Sequence, residues 1–201
     1  MEGFNKKAFD ERVGEAHEEA LKVNAELDSV NAPIEEIKEK KEVAESKEQF
    51  ETWQTIETGG KSKDELKTEL EEKGRKIGVL ANQLLDGEDF KTSESKERVD
   101  FVRPSVKDLG FEDTATLEEV CERAEGFGLE LCHAEDAPHL RSQYDGDESM
   151  VVAMKKLAGP DDSLNVFSLF GSGGELWLGT NSAHPGIRWN ADDRFVFRQS
   201  K

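Results

Sequence analysis

Leu164-Asn165-Val166-Phe167-Ser168-Leu169-Phe170-Gly171-Ser172-Gly173-Gly174-Glu175-Leu176-Trp177-Leu178 reads as two apolar, aromatic-rich runs on either side of a glycine turn. Short runs of this kind, bounded by Gly and Ser, are strands, and a glycine turn between them makes a hairpin. A phosphate-loop reading of the same glycines fails on the residues C-terminal to them. A phosphate cradle needs a helix N-terminus, whereas this chain continues as Glu175-Leu176-Trp177-Leu178, a strand that begins with a carboxylate.

The pattern extends outward from the hairpin. Met150–Leu157 precedes it across the turn Gly159-Pro160-Asp161-Asp162, and Phe195–Phe197 comes after it. Consecutive strands with short glycine turns favour an antiparallel meander over a parallel sheet. Upstream, Thr116-Leu117-Glu118-Glu119 is a capping box that opens a helix with Leu117, Val120, Cys121 and Ala124 on its inner face. Gly126 and Gly128 stop it. Leu129 and Leu131 then alternate with Glu130 and Cys132, a short strand, and Val99, Phe101 and Arg103 begin an extended segment that Pro104 closes. The expected fold class is α+β, with residues 98–201 forming a small, curved antiparallel sheet packed on one helix.

The first half has a different period. Apolar or small residues recur at Phe9, Val13, Ala16, Ala20, Val23, Leu27, Val30, Ile34 and Ile37, alternating steps of four and three. That is a heptad seam. Pro33 lacks an amide hydrogen and clashes with the carbonyl four residues back, so the helix stops and restarts there and runs on toward Phe50 and Trp53. Residues 1–57 are therefore expected as a helical hairpin or coiled-coil-like arm. After the break Thr58-Gly59-Gly60-Lys61-Ser62, Ser62 and Glu65 form a second capping box, and Leu66 through Leu85 supply the buried face of one helix ending at Asp86-Gly87. Residues 58–97 form this helix and a solvated linker.

Between Trp53 and Phe197 the chain resembles an uncharacterised domain that recurs in bacterial hypothetical proteins. The resemblance rests on Trp53 with Thr58-Gly59, Ala81-Asn82, Leu109-Gly110-Phe111, Gly128-Leu129-Glu130-Leu131-Cys132, Leu140-Arg141, Gln143-Tyr144, Leu176-Trp177-Leu178, Trp189 and Phe195-Val196-Phe197. It implies a shared fold and carries no activity. The chain departs from that group at His133, where proline is usual, and at Ser142, where leucine is usual.

Lys and Arg number 27 against 45 Asp and Glu, a net charge of -18. Such a charge opposes direct binding to nucleic acid or to an anionic membrane. No apolar run reaches the length of a membrane span, and Met1–Lys7 has no signal-peptide character. Cys121 and Cys132 are too few for a disulfide framework. The default compartment is the cytoplasm.

The densest polar cluster is His133, Glu135, Asp136, His139 and Arg141. Imidazole and carboxylate together can bind a divalent cation, with His133, Glu135 and His139 as the ligand candidates. The spacing is not that of a helical metal motif, and Pro138 argues for a surface loop, so no metal or cofactor is expected. A nucleophilic cysteine would have to be Cys132 beside His133, against the ordinary reading of free cysteine as a small core residue. Glu130, Glu135, Arg141, Gln143 and Tyr144 could form a polar pocket wall, with Arg141 and Gln143 on one face of a strand. A buried arginine–glutamate pair explains the same residues. Trp177 is expected in the core, and Trp189 is either core or interface.

These residues support three function classes. The first is a non-enzymatic protein-interaction module, with Phe9, Val13, Val23, Leu27, Val30 and Trp189 as interface residues and a protein partner or a second copy (a homo-oligomer) covering the seam. The second is an acidic inhibitor that mimics nucleic acid toward a basic, nucleic-acid-binding or defence protein. The third is a hydrolase or ligand-binding enzyme using residues 130–144.

Overall fold

A computed structural model describes residues 50–200. The chain divides into two units, Met1–Glu45 and Ser46–Lys201, and the described residues belong to the second. The heptad seam with Phe9, Val13, Val23, Leu27 and Val30 lies outside the described residues.

Strands β8 (Leu164–Ser172) and β9 (Glu175–Ser182) form the hairpin read from the sequence, paired from Asn165↔Ser182 to Ser172↔Glu175. Gly173 (φ 62°) and Gly174 (φ 81°) are both left-handed. Two such residues in succession give the backbone twist that matches paired strands, and glycine adopts it without steric cost.

The other strands are β1 (Gln54–Thr58), β2 (Lys76–Ile77), β3 (Glu97–Val102), β4 (Thr114–Thr116), β5 (Leu129–Glu130), β6 (Met150–Val152), β7 (Leu157–Ala158), β10 (Arg188–Asn190) and β11 (Phe195–Gln199). Nine of the eleven make one sheet in the order β1-β3-β11-β6-β8-β9-β2, with β5 on β11 and β7 on β8; β10 and β4 form a separate pair. The sheet is mixed, because β11 runs parallel to β6 and β2 runs parallel to β9. It curls into a half-barrel, accompanied among the described residues by four helices. These are α1 (Lys63–Glu72), α2 (Val79–Asp86), α3 (Leu117–Gly126) and α4 (Asp136–Gln143).

This corrects the expected small antiparallel sheet on one helix. The physical reason is recruitment from upstream. Gln54–Thr58, expected as the end of a helical arm, pairs with β3 from Gln54↔Phe101 to Thr58↔Glu97. The boundaries drawn at 57/58 and 97/98 therefore run through a strand pair. The single helix expected over Ser62–Leu85 is two. Gly74 takes a left-handed φ of 67°, the chain then runs extended along β9, and Gly78 caps α2. Both capping boxes are present, Ser62 with Glu65 and Thr116 with Glu119.

The core lies inside the curl. Phe90, Phe101, Phe167, Phe195 and Phe197 are essentially inaccessible to solvent, and Phe90 meets Phe167 edge-to-face at 6.0 Å. Each buried phenylalanine contributes up to about 3 kcal/mol relative to exposure. Among the described residues the exposed large hydrophobics are Val79, Leu164 and Ile187, three separate positions along the chain. No helix of the described residues is long and apolar enough to cross a membrane.

Candidate functional site

Helix α4 occupies the segment expected as a loop next to a strand. Pro138 does not prevent it, because it is the third residue of the helix, where its absent N–H has no carbonyl to serve. Asp136, Ala137, Pro138, His139, Leu140, Arg141 and Ser142 are all buried. A helix enclosed on every side would ordinarily be apolar; this one carries charge, so each polar group needs a partner.

Asp136 is held most firmly. Arg198 of β11 donates to both its oxygens, Nε to Oδ2 and Nη2 to Oδ1, each at 2.7 Å. The His133 amide adds a third donor at 2.8 Å, and Arg198 Nη1 reaches Glu97 at 2.7 Å. Burial pushes the Asp136 carboxyl above the ordinary carboxylate range, and the Arg198 fork pulls against that. Arg198 is itself held in its charged form by Asp136 and Glu97, despite its own burial. The two bonds of the fork, each a charge-assisted contact, make this an ion pair that ties α4 to the sheet.

Next to it, Glu135 accepts from the Ser93 amide at 2.9 Å; burial raises its carboxyl. The imidazole Nε2 of His139 accepts from the Gly59 amide at 3.0 Å. Its Nδ1 is buried with no hydrogen-bond partner. Burial, with Lys61 next in weight, depresses its pKa to about 4, so the ring is neutral at pH 7. Gln143 Nε2 donates to the carbonyls of Glu57 and His139 at 3.0 and 3.1 Å. Arg141 Nη2 donates to the carbonyls of Tyr144 and Gly146.

The expected pocket wall is thereby dispersed. Arg141 and Gln143 sit on a helix, so the strand-face argument that paired them does not apply. Glu130 is exposed on β5, where it accepts from Ser200 Oγ at 2.9 Å and helps line a depression of ≈ 230 Å³ with Glu97 and Arg198. Of the metal candidates, His133 is exposed, while Glu135 and His139 are buried and occupied by backbone amides. Among the described residues no three His, Cys, Asp or Glu side chains gather as a cation site. Cys132 is buried, donates to the Val196 carbonyl at 3.3 Å, and has its thiol pushed well up by burial. The Cys121 thiol is pushed up to about 12, again by burial. Neither is a thiolate at neutral pH.

Trp189 is buried, edge-on to Phe195 at 5.2 Å. Trp177 is half-buried and stacked on Phe170, 6.2 Å between centroids.

The surface feature that sequence reading misses lies at the start of β1. Trp53 meets Tyr144 edge-to-face at 4.7 Å, and the Arg103 guanidinium lies 4.9 Å from the Trp53 ring centroid. Glu148 pairs with Arg103 and accepts from the Tyr144 hydroxyl at 2.8 Å. Beside them opens a cleft of ≈ 590 Å³ lined by Phe50, Glu51, Thr52, Trp53, Arg103, Pro104 and Asp108. Trp53, Tyr144 and Arg103 are each partly exposed. Long stretches of chain separate the three positions, which hides the grouping; Arg103 before Pro104 and the isolated Trp53 are the available signals.

Comparison with known protein families, curated proteins and solved structures gives no match to this chain.

Proposed function

We propose that this protein is a non-enzymatic protein-interaction module, and that its described body meets a protein partner through the Trp53–Arg103–Tyr144 cleft. The observation that carries the reading is a half-exposed tryptophan that touches both a tyrosine and an arginine, with the tryptophan and the arginine lining an open cleft. These three residue types dominate binding energy at protein interfaces, where large, amphipathic side chains fill desolvated pockets. Asp136, Glu135 and Gln143 already serve the sheet and the backbone, so residues 130–144 enter the proposal only through Tyr144.

The heptad seam of residues 9–37 supports the same class. An apolar stripe on a charged helix needs a cover, and a second copy or a partner helix supplies one. A cytoplasmic setting suits a chain with two protonated, unpaired thiols. The net charge of -18 favours, as a second reading, a basic partner whose nucleic-acid groove the protein would occupy.

A photo-crosslinking side chain at Thr52 tests the proposal. A discrete crosslinked protein species is expected; crosslinking indistinguishable from that at a remote exposed site such as Ser172 argues against the cleft. Capture that collapses with rising salt selects the acidic-mimic reading of the partner.

A further inference from the structure

Arg141 is the one buried arginine of the described residues that the network around α4 leaves without a counter-charge. It is wholly inaccessible to solvent. Its Nη2 is used by the Tyr144 and Gly146 carbonyls, but Nε and Nη1 have no acceptor. No carboxylate pairs with it, whereas Arg198 has Asp136 and Glu97. The Tyr144 ring, 5.5 Å from the guanidinium, supplies a π face and no full charge.

Arg75 reaches the same loop. Its Nη2 pairs with Asp145, whose side chain is 83% exposed, and its own Nε is buried with no acceptor. Burial and the nearby Arg75 together lower the pKa of Arg141, to about 10, which still leaves it cationic at pH 7. Two guanidiniums thus hold residues 144–146 between them, with one solvent-facing carboxylate as their shared compensation. A buried cation without an anion is costly, and an arginine cannot escape the cost by losing its proton. Outside the loop, Asp145, Gly146 and Asp147 line a depression of ≈ 390 Å³ against the β8–β9 turn.

We propose that Arg141 and Arg75 form a site for a small oxyanion of the phosphate or sulfate type, reached through the Tyr144–Glu148 loop, with Asp145 as the internal carboxylate that competes for Arg75. Guanidinium donors match oxyanion acceptors in geometry as well as charge. The site shares Tyr144 with the surroundings of Trp53, but neither arginine lines that cleft.

The test is calorimetric titration of the full chain with inorganic phosphate and with sulfate, at fixed ionic strength, alongside thermal melting. Saturable binding and a rise in Tm are expected for the wild type. D145N should bind several-fold tighter, and R75M at least ~10-fold weaker. R141M should not bind; should R141M fail to fold, R75M and D145N still decide. Absence of saturable heat in the wild type overturns the proposal, as does an equal Tm rise in R75M, which marks a general salt effect.

Discussion

The imidazole of His139 accepts a hydrogen bond from the backbone amide of Gly59, eighty residues earlier in the chain, at 3.0 Å. An accepting Nε2 requires the proton on Nδ1, so the contact exists only while the ring is neutral. It joins α4 to the turn between β1 and α1, and it makes the fold sensitive to acid.

The folded pKa of His139, about 4, lies below its ordinary value of 6.5. The folded state therefore binds fewer protons than the unfolded chain between those values. Its contribution is complete above pH ~6.5 and is lost as pH falls toward 4, up to roughly 3 kcal/mol. Urea unfolding at pH 7 and pH 4.5 should show this loss in the wild type and a smaller one in H139Q. Equal losses in both proteins would place the acid sensitivity elsewhere.

The Asp136–Arg198 pair predicts a strongly non-additive double-mutant cycle. R198M alone leaves the Asp136 carboxylate buried without its counter-charge and should cost about 3–5 kcal/mol; D136N leaves Arg198 with Glu97 alone and should cost less. Replacing both should cost less than the two single changes summed. Denaturant midpoints of the three variants check this; simple additivity would mean the fork does not couple them.

Gly59 has φ 76°, and a Cβ placed there would meet the Ser95 carbonyl oxygen at 2.2 Å. That oxygen is backbone and cannot swing aside. G59A combines a left-handed alanine with this clash and should cost at least ~2 kcal/mol. Gly173 also has positive φ, but its Cβ would meet no atom within 4 Å, so G173A should cost only the conformational part, about 1 kcal/mol. Thermal melting of the pair tests the ranking.

The features legible in the chain are local. The Gly173-Gly174 turn and the two capping boxes are decided by residues within a few positions of each other, and all three are present. The illegible ones are set by partners far away. Lys76-Ile77 has no strand signal of its own and becomes β2 only beside Trp177-Leu178. The parallel contact of Val196 with Val152 likewise joins distant stretches of chain. Residues 130–144 stand out in the sequence as a polar concentration, yet their geometry depends on Pro138 falling in a first turn and on Arg198 arriving from β11. The same distance conceals the contact of Trp53 with Arg103 and Tyr144.

The proposed interaction role rests on the Trp53 cleft, and the most direct measurement is quantitative capture from a cell lysate by the full-length wild type, W53A and V79S. Val79 is 81% exposed and controls for general adhesion of apolar surface. The expected result is a protein species retained by the wild type and V79S and reduced at least ~10-fold by W53A, as for truncating an aromatic anchor. Identical capture by all three proteins would contradict it.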